Sequence, residues 1–300
     1  MRKQRLVNLL LAFMLVSTTA LASNREKYNF NSQWLLNIGD SKGAEQNNYF
    51  DKDWEKITLP RAFNEDESYK VNIKYMTDTI AWYRKHFKLP KTAKGKKVFI
   101  EFEGVRQAAD LWLNGKYIGL HENGVMAFGF DLTPYLNFEG ENVIALRVDN
   151  DWRYKERSTG SGFQWNDINF NANYGGIPKN VWLHITDKLY QTFPLYSNLR
   201  TTGVYIYATD IQVKSRKAVI NAESEIRNEH DKVMNVNYEV EVYDYDNKLV
   251  GTFNSEPVVI QPNQTVTVKA SSDFSGLHFW SWAVFNVSPA RVSSPAPLPS

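Results

Sequence analysis

The stretch LWLNGKYIGL, residues 111–120, predicts a tight β-hairpin. Asn114-Gly115 is a pair that tolerates the positive φ angles of both central positions in a two-residue hairpin turn. Short runs rich in β-branched and aromatic residues recur at 98–102, 143–148 and 181–185, each bounded by turn residues. Extended stretches with the 3.6-residue period of a helix are hard to find. One helical turn is expected at 131–134, with Thr133 as its cap and Pro134 at its first helical position. The pattern therefore predicts an all-β protein built from sandwiches or jelly rolls.

Composition excludes several classes of function. The 300 residues carry a formal net charge of +2, with 35 basic and 33 acidic side chains, and contain no cysteine. Without cysteine, a disulfide scaffold, a thiol enzyme and a cysteine metal site are excluded. The charges are spread along the chain, so no basic patch indicates a nucleic acid or an anionic membrane as partner.

The N-terminal segment 1–22 has the three parts of a secretory signal peptide. Basic residues at 2–5 precede an apolar run at 6–16, and Ala20 and Ala22 supply small residues for cleavage. The apolar run is much shorter than the roughly 20 residues that span a bilayer, which disfavours the alternative of a retained anchor helix. We expect an exported bacterial protein, periplasmic or extracellular, cleaved near Ala22.

Changes in composition and hydrophobic pattern along the mature chain divide it into two all-β units and a tail. The first unit is expected over 23–187 and the second over 188–285, beginning with an irregular connector. In the second unit Val236, Tyr238, Val240 and Val242 alternate with polar residues, as in half-buried antiparallel strands. About six strands are predicted there, the number typical of an immunoglobulin-like sandwich. The Pro- and Ser-rich segment 286–300 is expected to be disordered.

The connection at 149–176 is the predicted functional segment. A loop this long inside a compact β domain is normally functional or disordered, and its many aromatic residues argue against disorder. Aromatic rings pack on the apolar faces of sugars, while Asp and Asn side chains bind sugar hydroxyl groups. An open alternative is structural: the aromatic rings close the end of the sandwich and the Asn residues stabilise turns.

Other patterns point to no particular chemistry. The five histidines are too scattered to form a local ligand set, and no metal or cofactor is predicted. Asn64-Glu65 and Asn228-Glu229 match the Asn-Glu pair that often carries a glycosidase acid. Neither has an identifiable second carboxylate at the roughly 5 Å that a retaining mechanism requires.

Residues 102–150, FEGVRQAADLWLNGKYIGLHENGVMAFGFDLTPYLNFEGENVIALRVDN, resemble the N-terminal sugar-binding domain of family-two glycoside hydrolases, the group of β-galactosidases and β-glucuronidases. Residues 173–183, NYGGIPKNVWL, resemble the same domain. The similarity covers nearly the whole mature chain and favours the β-galactosidase subtype. It implies a galactose-binding-like jelly roll over 23–187 and an immunoglobulin-like sandwich over 188–285.

The resemblance also implies a catalytic (β/α)₈ barrel with two glutamates, for which these 300 residues leave no room, since a barrel needs about 250 residues. A frameshift or a fragmented gene is the expected cause, and a barrel encoded separately or in a shifted frame is the expected protein partner. No catalytic residue is therefore assigned. In the family the long loop of the first domain helps to hold the sugar, and the matching candidate substrate-binding residues are Trp165, Asp167, Asn169, Asn171 and Asn173.

Three functions follow from this pattern. The favoured one is the non-catalytic N-terminal portion of an exported β-galactosidase-like hydrolase of O-glycosidic bonds, inactive alone and binding a β-galactoside-type sugar or glycan only weakly. The first alternative is an autonomous, lectin-like carbohydrate-binding module. The second is an assembly module that recruits a separately encoded barrel by complementation.

Overall fold

A computed structural model describes residues 25–65, 79–162 except 123, 125 and 152, and 174–277 except 245. The predicted signal peptide at 1–22 and the predicted tail at 286–300 lie outside these ranges. Within them nearly all regular structure is β, and the all-β prediction is confirmed. A membrane-crossing helix is not found in the described ranges.

Twelve strands build the first sandwich of the described chain. They are β1 (Glu26–Asn29), β2 (Trp34–Ile38), β3 (Glu55–Ile57), β4 (Arg61–Ala62), β5 (Ile80–Lys88), β6 (Lys97–Phe102), β7 (Ala108–Leu113), β8 (Lys116–Glu122), β9 (Phe128–Asp131), β10 (Glu141–Asp149), β11 (Gly176–Ile177) and β12 (Val181–Thr186). Two short 3-10 turns, Lys91–Ala93 and Thr133–Tyr135, lie between strands.

Two antiparallel sheets face each other in this sandwich. One has the strand order β1-β12-β6-β9 and the other β3-β2-β5-β10-β7-β8, with β4 and β11 pairing separately. Large apolar side chains from both inner faces, among them Trp34, Tyr83, Phe102 and Phe128, are fully buried between the sheets. Each such side chain contributes about 2 kcal/mol relative to an exposed position, so this core stabilises the sandwich.

The β-hairpin predicted for residues 111–120 is present. Strand β7 pairs with β8, and Asn114 and Gly115 connect them with φ angles of 54° and 76°. The side chain of Asn114 also accepts a hydrogen bond from Val143 N at 2.9 Å, which ties the turn to β10. The predicted helical turn near Pro134 is a 3-10 turn, but the expected capping by Thr133 is wrong. Its hydroxyl instead accepts a hydrogen bond from Val98 N at 2.9 Å.

The second sandwich follows a short connector. Its elements are β13 (Leu189–Gln191), the helical turn α1 (Tyr196–Leu199), β14 (Val204–Gln212), β15 (Lys217–Asn228), β16 (Met234–Val236), β17 (Glu239–Tyr243), β18 (Leu249–Asn254), β19 (Val258–Ile260) and β20 (Thr265–Ser275). Strand β15 pairs with β13 and β14 along one edge and with β20 along the other. The pairs β16-β19 and β17-β18 supply the opposite layer of its smaller core.

Buried polar and aromatic contacts join the two sandwiches. The ammonium group of Lys97 on β6 lies 2.8 Å from the carboxylate of Glu229, just after β15, and also pairs with Asp131. Beside this ion pair, Phe99 packs against Tyr190 and Phe193, with ring centroids 5.5 and 4.9 Å apart. Because these contacts are buried, they couple the second sandwich to the outer face of the first.

Candidate functional site

The predicted functional segment begins where β10 ends at Asp149 and finishes where β11 begins at Gly176. The structure describes its first limb to residue 162, apart from 152, and its last three residues, 174–176. Trp165, Asp167, Asn169, Asn171 and Asn173 lie outside the described residues, so their role in sugar binding stays a prediction. The described limbs show how both ends of the segment are held.

The first limb folds back on itself as a small hairpin. Lys155 bridges to Gly162, and Gly160 N donates a hydrogen bond to the carbonyl of Glu156 at 2.8 Å. At its base the guanidinium group of Arg153 makes two hydrogen bonds to the carboxylate of Asp151, at 3.0 and 2.7 Å. Residues 155–162, which we call the hairpin arm, therefore have a defined shape before the chain enters the undescribed part of the segment.

A carboxylate on β8 anchors the hairpin arm to the sheet. One oxygen of Glu122 accepts a hydrogen bond from the Tyr154 hydroxyl at 2.6 Å and another from Arg157 N at 2.7 Å. Burial, reinforced by this carboxylate, raises the pKa of Tyr154 well above its ordinary value. Tyr154 therefore stays protonated and acts as a hydrogen-bond donor at any physiological pH.

A second anchor is the ion pair between Arg157 and Asp110 on β7. The two terminal nitrogens of the guanidinium group donate to the two carboxylate oxygens, at 3.1 and 2.6 Å, and Tyr117 donates to the same carboxylate at 2.9 Å. The hydrogen bond to Asp110 raises the pKa of the Arg157 guanidinium group above its ordinary value. Burial, and after it the hydrogen bond to Asp110, raises the pKa of the Tyr117 hydroxyl group to about 12. Because two guanidinium nitrogens bind two carboxylate oxygens, this bidentate pair also fixes the orientation of the hairpin arm relative to β7.

The second limb is held by backbone contacts that require glycine. Phe63 N donates to the carbonyl of Gly175 at 2.9 Å, and Gly175 N donates to the side-chain oxygen of the buried Asn64, also at 2.9 Å. Gly176 has a φ of +104° and exchanges two backbone hydrogen bonds with Arg106, at 2.9 and 2.8 Å. A Cβ at Gly175 would lie 2.3 Å from the Phe63 ring, and one at Gly176 would lie 2.0 Å from the Tyr83 hydroxyl.

Tyr174 stands directly before this glycine pair and is 37% exposed. A rigid backbone therefore presents a partly exposed aromatic ring at the point where the predicted sugar-binding residues end. Near the other limb, burial raises the pKa of the Asp149 carboxyl group. Aromatic and carboxylate groups on a frame held by hydrogen bonds are the features that a sugar site needs.

The two Asn-Glu pairs have structural roles. Glu65 accepts hydrogen bonds from Ala62 N at 3.0 Å and from Arg61 at 2.5 Å, which closes a turn after β4. Burial raises the pKa of Glu229, but hydrogen bonds from Lys97, Arg227 and Tyr190 outweigh it, so its net pKa is lowered. A general acid needs a raised pKa, so Glu229 fits a junction residue better than a catalytic acid. In the described part of the chain, no group of three His, Asp or Glu side chains is arranged to hold a metal ion.

Sequence reasoning did not single out Asp110, Glu122 and Arg157 as anchors. On β7, Asp110 alternates with the buried Ala109 and Leu111, which places it on the outer face of the sheet, and Glu122 on β8 lies opposite Ala108 of that face. That alternation was available in the sequence, but the pairing of Asp110 with Arg157, 47 residues away, was not.

Comparison with known proteins identifies this framework. Residues 45–187 match the family model described as "Glycosyl hydrolases family 2, sugar binding domain", a range that contains both limbs and all five candidate residues. The chain belongs to glycosyl hydrolase family 2. The predicted resemblance is thereby confirmed, and as a domain of this kind the first sandwich indicates an interaction with carbohydrate.

Several family 2 proteins are similar over most of the chain. It is 41% identical to a Beta-glucuronidase of Formosa agariphila over 266 residues. This matched region covers 86% of this chain and 27% of that protein. The chain is 31% identical over 226 residues to Beta-galactosidase BoGH2A of Bacteroides ovatus, covering 73% of this chain and 24% of that protein. A solved beta-glucuronidase from glycoside hydrolase family 2 superposes with a TM-score of 0.79 at 39% identity, over 87% of this chain and 28% of that one.

The chain thus spans about a quarter of the length of these family 2 relatives. It corresponds to the N-terminal portion of enzymes that hydrolyse glycosidic bonds, as the sequence predicted.

Proposed function

We propose that this chain is the sugar-recognition and immunoglobulin-like portion of an exported β-glycosidase. In this function a catalytic barrel supplies most of the sugar site, and one wall comes from the candidate residues Trp165, Asp167, Asn169, Asn171 and Asn173. The match of residues 45–187 to the family 2 sugar-binding domain carries the proposal. The hairpin arm and the Gly175-Gly176 limb support it, because they hold both ends of the 149–176 segment on a rigid frame.

For the sugar, we propose a β-galactoside, the class expected from the sequence resemblance. The relative at 41% identity is named a Beta-glucuronidase, which favours a β-glucuronide as the second candidate. The two sugars differ at C6, where a glucuronide carries a carboxylate and a galactoside a hydroxymethyl group. A site for the glucuronide therefore needs a cationic or hydrogen-bond-donating partner at that carbon.

Ligand-observed NMR titration of the purified chain with methyl β-galactoside and methyl β-glucuronide tests this function. We expect saturable binding of one sugar at millimolar or weaker affinity, because a single wall buries too little of a monosaccharide for tight binding. Asp167→Ala removes a candidate contact and should abolish that binding, whereas Asp231→Ala, an exposed position of the second sandwich, should leave it unchanged. Micromolar binding by the isolated chain would instead support an autonomous binding module.

Three further measurements address the whole protein. Translation of the source DNA beyond the codon for Ser281 in all three frames should reveal a barrel, and its absence would favour the autonomous module. Hydrolysis of p-nitrophenyl β-galactoside or β-glucuronide by the pure chain would refute the proposed need for a barrel. Export predicts that the mature protein begins at Ser23, which N-terminal sequencing of the periplasmic or secreted protein checks.

A further inference from the structure

Strand β14 forms an open edge of the second sandwich. It pairs on one side with β15, and no other described strand pairs with it. Eight of its nine residues are exposed, in the pattern eeeieeeee, although Val204 and Ile206 are apolar. The opposite layer covers β15 and β20, whose Ala222, Ile226, Val268 and Ala270 are buried, but it does not extend over β14.

The direction of the free backbone groups on this edge follows from its register. Val204 lies opposite Ser224, and the Gly203 carbonyl accepts a hydrogen bond from Glu225 N at 2.8 Å. In an antiparallel pair, residues alternate between those that bond to the partner strand and those that face away from it. Gly203 bonds to β15, so Val204, Ile206 and Ala208 direct their N–H and C=O groups toward the open edge.

The same stretch lacks the devices that normally prevent edge pairing. Residues 204–209 read VYIYAT, without a charged side chain, a proline or a glycine. Natural edge strands are usually protected by lysine, proline, a bulge or a covering segment. A bulge does occur in β14, between Thr209 and Gln212, but it lies after this regular stretch.

We propose that β14 is a self-association edge whose partner is β14 of a second copy of this chain. A two-fold axis perpendicular to the sheet passes midway between Ile206 and Ile206 of the second copy, so that these two residues pair and Val204 pairs with Ala208. This register joins every outward-facing backbone group of the regular stretch. It places Ile206, Val204 and Ala208 on one continuous apolar face and brings no charges into opposition.

The opposite face of the paired strands is compatible with the same register. Tyr205 of one copy then lies opposite Tyr207 of the other. Within one chain these two rings are already stacked, with centroids 5.1 Å apart and an interplanar angle of 29°. Aromatic side chains opposite each other are among the favourable cross-strand pairs, so the tyrosines add to the attraction between copies.

Sedimentation velocity of the full chain over a range of concentrations tests the proposal. We expect a monomer–dimer equilibrium, and Ile206→Lys should weaken it about tenfold or more, because it places two like charges face to face on the two-fold axis. Val259→Lys is the matched control, since Val259 and Ile206 are both 55% exposed and Val259 lies on β19 of the same sandwich. A monomer at all concentrations, or equal effects of the two substitutions, would overturn the proposal.

A disulfide provides a second and independent measurement. The chain contains no cysteine, so Ile206→Cys introduces a single thiol. Cα atoms of a hydrogen-bonded antiparallel pair lie about 5.5 Å apart, within the range that a disulfide spans. Oxidation should therefore yield a covalent dimer from Ile206→Cys and much less from Val259→Cys. Slow hydrogen exchange at the amides of Val204, Ile206 and Ala208 in a monomeric chain would show that another segment of the same chain covers the edge, and would also overturn the proposal.

Discussion

Replacing Gly176 by alanine should destabilise the first sandwich and release one end of the predicted sugar-binding segment. Gly176 has a φ of +104°, and an added Cβ would lie 2.0 Å from the Tyr83 hydroxyl oxygen. Tyr83 is fully buried and its hydroxyl donates to the Arg61 carbonyl at 3.0 Å, so the ring has no room to move away. Gly176 also exchanges two backbone hydrogen bonds with Arg106, and any shift of Gly176 weakens both of them.

The magnitude follows from two separate costs. A non-glycine residue at positive φ costs about 1–2 kcal/mol. Overpacking of a buried site costs about 1–3 kcal/mol. Together they predict a loss of about 2–5 kcal/mol in the free energy of unfolding of the first sandwich.

Two other glycines of the same connection separate these costs. Gly160 has a φ of +69° with no atom within 4 Å of an added Cβ, so Gly160→Ala should show the conformational cost alone. Gly162 has open space and no positive φ, so Gly162→Ala should change stability by less than about 1 kcal/mol. Adding Tyr83→Phe to Gly176→Ala removes the clashing oxygen and leaves the ring carbon at 3.0 Å as the nearest atom. Part of the lost stability should therefore return.

Urea unfolding followed by tryptophan fluorescence is the assay. None of the nine tryptophans lies between residues 183 and 279, so the described second sandwich contributes no tryptophan signal. The expected order of destabilisation is Gly176→Ala, then Gly160→Ala, then Gly162→Ala. Equal stability of the first and last variants would refute the argument from steric fit, and so would a failure of Tyr83→Phe to restore any stability to Gly176→Ala.

Two further predictions concern buried lysines. Lys97→Met should cost about 3–5 kcal/mol and split calorimetric unfolding into two transitions, because Lys97 is 9% exposed and its loss leaves Glu229 without its main partner at the junction. Lys94→Met removes a pair that is 73% exposed on the lysine side and should cost less than about 1 kcal/mol, so equal costs for the two variants would contradict the role of the junction. Burial lowers the pKa of Lys85 from 10.5 to about 8, which means that the unfolded chain binds the proton more tightly than the folded one. The stability of the native chain relative to Lys85→Met should therefore rise by about 3 kcal/mol as the pH increases from 8 to 10.5, and a pH-independent difference in urea unfolding would disprove the shift.

The fold class was predictable because its signals are local. The turn at Asn114-Gly115 requires positive φ angles at two adjacent positions, and alternation along each strand depends on neighbours two residues away. The error at Thr133 was also local in origin. Capping was inferred from sequence position, but the strand packed beside it offered Val98 N as a competing donor.

In the candidate site, too, the local features were predictable and the long-range contacts were not. The mixture of aromatic, Asp and Asn side chains in 149–176 is visible in the sequence and indicates sugar chemistry. The anchors of that segment are not visible, because Asp110 and Arg157 are 47 residues apart and Asn64 and Gly175 are 111 apart. Contacts over such separations depend on which strands become neighbours in the sheets.

By itself, the sequence determined that this chain is all-β and that it carries the sugar-binding domain of family 2 glycosyl hydrolases, and it predicted that the sugar-binding residues lie in 149–176. Only the tertiary structure decided why residues 175 and 176 must both be glycine, how Lys97 joins the two sandwiches, and which strand edge the other described strands leave open. Short-range conformational preferences and recurring motifs can be read along the chain. Steric fit, ion pairing and the covering of an edge depend on groups brought together from distant positions, and these are specified only when the sheets have packed.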